Sequence, residues 1–134
     1  MNQELVIRKW CVYFADIKFI EIDKIKERPI IVLGVFGINA LVLPLTSSAK
    51  KIYWSDIIFN FNNIVSVAKI TNIQRIHIKD IKRNLIIYSE NGNSYARIPI
   101  IKRREISNKF NALLFKEVKK DIILDQSNEY KMVY

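Results

Sequence analysis

Apolar and polar residues alternate along the first two-thirds of the chain, and the period then changes. Residues 12–20 are rich in β-branched and aromatic side chains, with Tyr13, Ala15, Ile17 and Phe19 on one face, which is the spacing of a strand. Pro29 is expected to open a second strand over 30–36, because a strand tolerates proline at its first position. Ile30-Ile31-Val32-Leu33 is apolar on both faces and suits a central strand of a closed or two-layered sheet. Gly37 breaks that run, and Ile38-Asn39 leads into a third strand ending at Pro44-Leu45. Residues 52–59 read as a fourth strand, and 64–78 as a long β-like stretch that is bent or bulged. Runs 85–89 and 94–98 flank Glu90-Asn91-Gly92-Asn93, and an Asn-Gly pair between two alternating runs is the strongest short hairpin signal.

From 102 to 124 the residues Ile106, Phe110, Leu113, Leu114, Val118 and Ile122 recur at three- and four-residue steps, one face of a helix. Lys109, Lys116, Lys119 and Lys120 occupy its other face, and 125–134 read as a loose tail. No internal repeat or composition shift divides the chain. One domain over 1–134 is therefore expected, with its β part at about 8–100 and the helix at about 102–124. Strands followed by a helix indicate an α+β class: a small, strongly bent antiparallel sheet or barrel closed by a C-terminal helix.

Composition narrows the picture. Half of the 134 residues are apolar, enough to bury a core without disulfide staples. The single Cys and single His allow neither an internal disulfide nor a Cys/His zinc site. No apolar run reaches the roughly 18 residues of a membrane span, and Met1-Asn2-Gln3-Glu4 lacks the layout of a signal peptide. A soluble cytoplasmic protein is the expectation.

The formal net charge is +9 and is uneven: residues 69–104 hold nine basic residues against Asp80 and Glu90. A basic surface attracts polyanions, nucleic acid being the commonest. A chain this rich in Ile, Lys and Asn also drifts basic with AT-rich coding, so charge alone leaves both readings open. Most familiar chemistry is absent: there is no Gly-rich phosphate loop, no H-E-x-x-H and no nucleophile elbow. A triad could run only through His77, which reads as a solvated or structural residue, and Cys11 reads as buried and inert. Two of Asp16, Glu21, Asp23 and Glu27 could hold a hard cation. The interleaved Lys18, Lys24, Lys26 and Arg28 point to ion pairing instead, so neither a metal nor another cofactor is expected.

Two segments carry more: Glu27-Arg28-Pro29-Ile30-Ile31-Val32-Leu33 and Ala40-Leu41-Val42-Leu43-Pro44-Leu45-Thr46-Ser47. An Arg-Pro opening one apolar strand, followed by an apolar strand ending in Pro-apolar-Thr-Ser, resembles the MazF/PemK family of toxins from toxin–antitoxin modules. Lys9 and Val12-Tyr13-Phe14-Ala15-Asp16-Ile17 resemble that family's first strand. Residues 66–76 resemble the strand that usually carries Gln-Ile-Arg-Thr, here altered to Asn-Ile-Gln-Arg. The order and spacing of the three blocks agree over residues 9 to about 81. The family's Gly-Asp before the first strand is replaced by Trp10-Cys11, and the loop 23–27 is short and basic. Pro44-Leu45-Thr46-Ser47 followed by Lys50-Lys51 also resembles the ToxN branch of the superfamily, in which the antitoxin is an RNA.

The resemblance implies an SH3-like barrel, a metal-independent endoribonuclease that cuts single-stranded RNA with the substrate's own 2′-OH, a cognate protein or RNA antitoxin, and a homodimer. Arg28 matches the family's catalytic arginine and Thr46 its threonine, while Glu27 and His77 are candidate general bases. Ser47, Lys50, Lys51, Asn72, Gln74 and Arg75 are candidate RNA contacts. Each also has a plainer reading as a solvated loop, turn or outward-facing residue. Trp10, Tyr13, Tyr53 and Trp54 could stack bases, with core packing the plainer reading for most of them. Two other functions compete: a non-catalytic nucleic-acid-binding or regulatory module on the same barrel, and a protein-interaction domain of SH3 type. The basic surface disfavours the second of these.

Overall fold

The computed structural model describes residues 5–19, 24–47 and 51–126, with the side chains of the last helix described as far as residue 116. Its elements are β1 (Val12–Phe19), β2 (Lys24–Phe36), β3 (Asn39–Thr46), β4 (Asp56–Phe61), β5 (Ile64–Lys69), β6 (Gln74–His77), β7 (Ile81–Asn84), β8 (Ile86–Ile87), β9 (Ser94–Tyr95) and helix α1 (Ile100–Gln126). One antiparallel sheet runs β4-β5-β3-β2-β1-β7, with β6 also pairing β3, while β8 and β9 form a separate two-stranded hairpin. No ladder joins the edge strands β4 and β7 among the described residues. The architecture is a mostly antiparallel sheet followed by one helix.

The alternation in β1 and β2 sets both faces of the sheet. Tyr13, Ala15, Ile17, Ile30, Val32 and Val42 pack on one side, with Leu5, Ile7, Ile76 and Ile78 against them. Val12, Ile31, Leu43, Leu45, Ile57 and Phe59 pack on the other, under Leu85, Ala96, Ile98 and Ile106. With apolar neighbours on both sides, β2 is the central strand its sequence implied. Cys11 is buried, as expected.

Strand β2 begins at Lys24, so Pro29 lies inside it rather than at its start. Val32 donates its N–H to Cys11 O at 3.0 Å, so even-numbered amides of β2 face β1 and odd-numbered ones, Pro29 included, face β3. The β2–β3 pairing stops at Ile30↔Pro44, one residue short of Pro29 and its missing amide. Pro44 sits in a matching gap: the outer edge of β3 pairs with β6 over Asn39–Val42 and with β5 from Leu45 onward. The two prolines thus lie next to each other at the end of the β2–β3 ladder, Pro29 on its inner side and Pro44 on the outer edge of β3.

Other boundaries move for local reasons. Strand β4 starts at Asp56 rather than 52, because the Asp56 carboxylate accepts from Tyr53 N at 2.8 Å and closes a turn ahead of the strand. Tyr53 and Trp54 are consequently exposed. The 64–78 stretch is broken by a 3-10 turn at Ile70–Asn72, and the Asn91-Gly92 hairpin has only two-residue strands. Helix α1 starts two residues earlier than expected and reaches Gln126. Among the described residues of its apolar stripe only Ile106 is buried, whereas Phe110 and Leu114 are 43% and 54% exposed. Lys109, expected on the solvated face, is half-buried: its Nζ donates to Asp56 O at 2.7 Å. Val118, Ile122, Lys119, Lys120 and the tail from 127 lie outside the described side chains. No helix among the described residues is long and apolar enough to cross a membrane.

Candidate functional site

The parting of β2 and β3 places the principal candidates. Arg28 pairs with Ala15 of β1, and Thr46 with Val67 of β5. The β2–β3 register runs Val32↔Val42, Ile31↔Leu43, Ile30↔Pro44. Continued two residues past its last pair, that register would bring Arg28 level with Thr46, because side chains alternate with a period of two. Both residues are half-buried, and the Arg28 Nε is itself buried.

A cleft of about 470 Å³ opens beside this parting. Arg28, Pro29, Leu45 and Ser47 line it from β2 and the end of β3, and Phe14, Phe61, Arg83 and Tyr88 close it. Thr46 does not line it; its neighbours on either side do. Arg83 brings a second guanidinium to the cleft. It lies 4.3 Å from the Phe14 ring centroid and pairs with Glu27 at 2.6 Å. Nothing in the sequence singles out Arg83 beyond its place in the basic stretch, since the β1–β7 pairing that carries it here spans some seventy residues.

Neither candidate base faces the Arg28–Thr46 pair. Glu27 projects to the opposite face from Arg28 by strand alternation and is held by Arg83. His77 lies opposite Asn39, roughly 23 Å along β3 from Thr46 by strand rise. Its Nδ1 accepts from Lys79 N at 3.0 Å.

The other expected contacts scatter. Gln74 is opposite Val42, roughly 13 Å from Thr46 along β3. Arg75 and Asn72 are exposed, and none of these three lines the cleft beside Arg28. Lys51 is exposed with its Nζ 5.3 Å from the Tyr53 ring centroid, in a cluster where Lys69 bridges the Lys51 carbonyl and the Asp56 carboxylate. Lys50 lies outside the described residues. Of the four aromatics, Tyr13 is fully buried and Trp10 half-buried, but Tyr53 and Trp54 are exposed. Of the early acids, Asp16 pairs with Lys82 and Glu27 with Arg83 across the sheet, and Glu21 and Asp23 lie outside the described residues. Among the described residues no group of three or more His, Cys, Asp or Glu could hold a metal ion.

No protein-family model matches the sequence. No curated protein matches it either. Among solved structures, the chain is similar to the Mycobacterium tuberculosis toxin MazF-mt6, with a TM-score of 0.56 and 16% sequence identity, covering 76% of this chain and 93% of that one. A second structure, described as a Mtb toxin, covers 63% of this chain and 90% of its own at 17% identity; its TM-score of 0.49 is too low to argue from. The likeness is one of fold: the chain has a MazF-like fold.

Proposed function

We propose that this chain is a toxin of MazF/PemK type, an endoribonuclease that cleaves single-stranded RNA and is neutralised by a cognate protein or RNA antitoxin. The observation that carries this reading is the β2–β3 register. It runs to Ile30↔Pro44 and, continued two residues, would bring Arg28 level with Thr46; Arg28 and Ser47 line the adjoining cleft, which supports the reading. The SH3-like barrel of that family is the frame in which we place it, and the cytoplasm is where such a substrate is met.

In the proposed reaction the substrate's 2′-oxygen attacks the adjacent phosphorus, the bond to the 5′-oxygen breaks, and a 2′,3′-cyclic phosphate and a 5′-OH result. The pentacoordinate phosphorane carries more negative charge than the diester. A guanidinium can meet that charge with two parallel charge-assisted hydrogen bonds, and the Thr46 hydroxyl can donate one more. Arginine does not readily release a proton, so the role of Arg28 is electrostatic. Ser47 lines the cleft with Arg28 and is assigned to substrate binding. Lys51, Asn72, Gln74 and Arg75 are assigned to contacts outside it, and Lys50, which lies outside the described residues, to substrate contact as well.

Arg28→Ala tests the reading. Loss of a transition-state cation costs at least about 2 kcal/mol, or tens-fold in rate. Arg28→Lys keeps the charge but not the fork and should recover only part of the activity. Circular dichroism establishes that the variants fold. If folded Arg28→Ala cuts a long single-stranded RNA as fast as the parent, the assignment is wrong. If the parent cuts nothing yet binds RNA, the chain is a binding module on this fold.

A further inference from the structure

A second, larger concavity of about 900 Å³ lies along the other edge of β1. Five cations line it: Arg8 and Lys9 from the segment before β1, Lys82 and Arg83 from β7, and Arg97 beyond β9. Among the described residues no Asp or Glu lines it, and the ion pairs reach only Lys82, through Asp16, and Arg83, through Glu27. Tyr95, 66% exposed, stands on its wall.

The groove is built and held. The fully buried Tyr13 hydroxyl accepts from Arg8 N at 2.8 Å and donates to Val6 O at 2.9 Å, pinning the segment that supplies Arg8 and Lys9. Trp10 takes a left-handed φ of 66°, tolerated because its N–H reaches Val32 O and its carbonyl receives Ile98 N. The isolated bridge Cys11↔Arg97 fixes the opposite wall. Arg83, Asn84 and Ile86 line both this groove and the cleft beside Arg28, so the two concavities adjoin.

We infer that this groove is an extended binding track for single-stranded RNA, carrying the strand away from the cleft at Arg28. This rests on the RNA substrate proposed above. The chemistry is that of a strand-tracking site: cations meet successive phosphates, and exposed tyrosines offer ring faces to bases whatever the sequence. Tyr88 in the cleft and Tyr95 in the groove supply one such face each.

The test uses 2′-O-methyl oligonucleotides, which the proposed reaction cannot cut, so binding is read whether or not the protein is a nuclease. The parent should gain affinity as the oligomer lengthens from about four to about fifteen nucleotides. The triple variant Arg8→Ala, Lys9→Ala, Arg97→Ala should lose most of that gain. Three lost phosphate contacts reduce the slope of log affinity against log salt by about 2, and affinity near 0.1 M salt about a hundredfold. The variant Arg8→Lys, Arg97→Lys should keep the slope, and Tyr95→Leu should weaken binding by about fivefold or more. An unchanged slope in a triple variant with parent-like circular dichroism overturns the inference. So does polyglutamate binding as tightly as the oligomer with no effect of Tyr95→Leu, which would make the groove a site for an acidic polypeptide. A protein that binds the long oligomer through these residues but cleaves nothing keeps the track and loses the nuclease. A protein that cleaves with an unchanged slope does the reverse.

Discussion

Replacing Tyr13 by Phe should destabilise the chain and loosen the segment ahead of β1 while leaving the core filled. The ring is fully buried and stays, so no cavity opens. The hydroxyl goes, and with it one hydrogen bond accepted from Arg8 N and one donated to Val6 O. Each such bond contributes about 1 kcal/mol net, and a buried group left without a partner costs somewhat more. The sum is about 2 kcal/mol, or a melting temperature roughly 8 °C lower for a domain of this size.

The difference should also depend on pH. Burial, the largest influence, raises the Tyr13 hydroxyl above its ordinary 10.0, and the hydrogen bond from the Arg8 amide pulls it partly back. The folded state therefore holds this proton more tightly than the unfolded chain. Its contribution is full below pH 10 and is lost as pH rises through the folded value. Thermal melts of parent and variant near neutral pH and above pH 10 measure both effects, the gap between the two narrowing at the higher pH. Hydrogen exchange at the Arg8 amide should accelerate in the variant. Identical melting temperatures near neutral pH with unchanged exchange would refute the reasoning, because the hydroxyl would then hold nothing.

Two further outcomes are expected. Cleavage should persist in excess EDTA, because the proposed reaction draws its positive charge from guanidinium groups; activity that vanishes and returns with magnesium would sink that mechanism. The chain should sediment as a homodimer, since Phe110, Leu114 and Phe115 of α1 are 43%, 54% and 69% exposed and a second copy would cover them; a single 15.8 kDa species at tens of micromolar would count against it.

Local signals were legible wherever one residue type settles one conformation. The Gly37 turn, the alternation of β1 and the Asn91-Gly92 hairpin were readable because periodicity and turn chemistry act within a few residues. Pro29 misled for the same reason. As a local signal it marks a strand end, but it sits inside β2 because the neighbouring ladder stops at that level. The apolar stripe of α1 was read correctly as a helix, yet periodicity does not say whether the rest of the chain covers it.

The sequence by itself determined the α+β class and the central place of Ile30-Ile31-Val32, while Arg28 and Thr46 stand out only through the resemblance to the MazF/PemK family. The first two follow from short-range pattern. Only the tertiary structure decided which distant residues share a site. The β1–β7 pairing carries Arg83 to Phe14 and Glu27, the strand rise along β3 removes His77 from contention, and the bridge Cys11↔Arg97 turns charges some ninety residues apart into one groove. Strand pairings of this range close only when the whole core forms, so no local propensity encodes them.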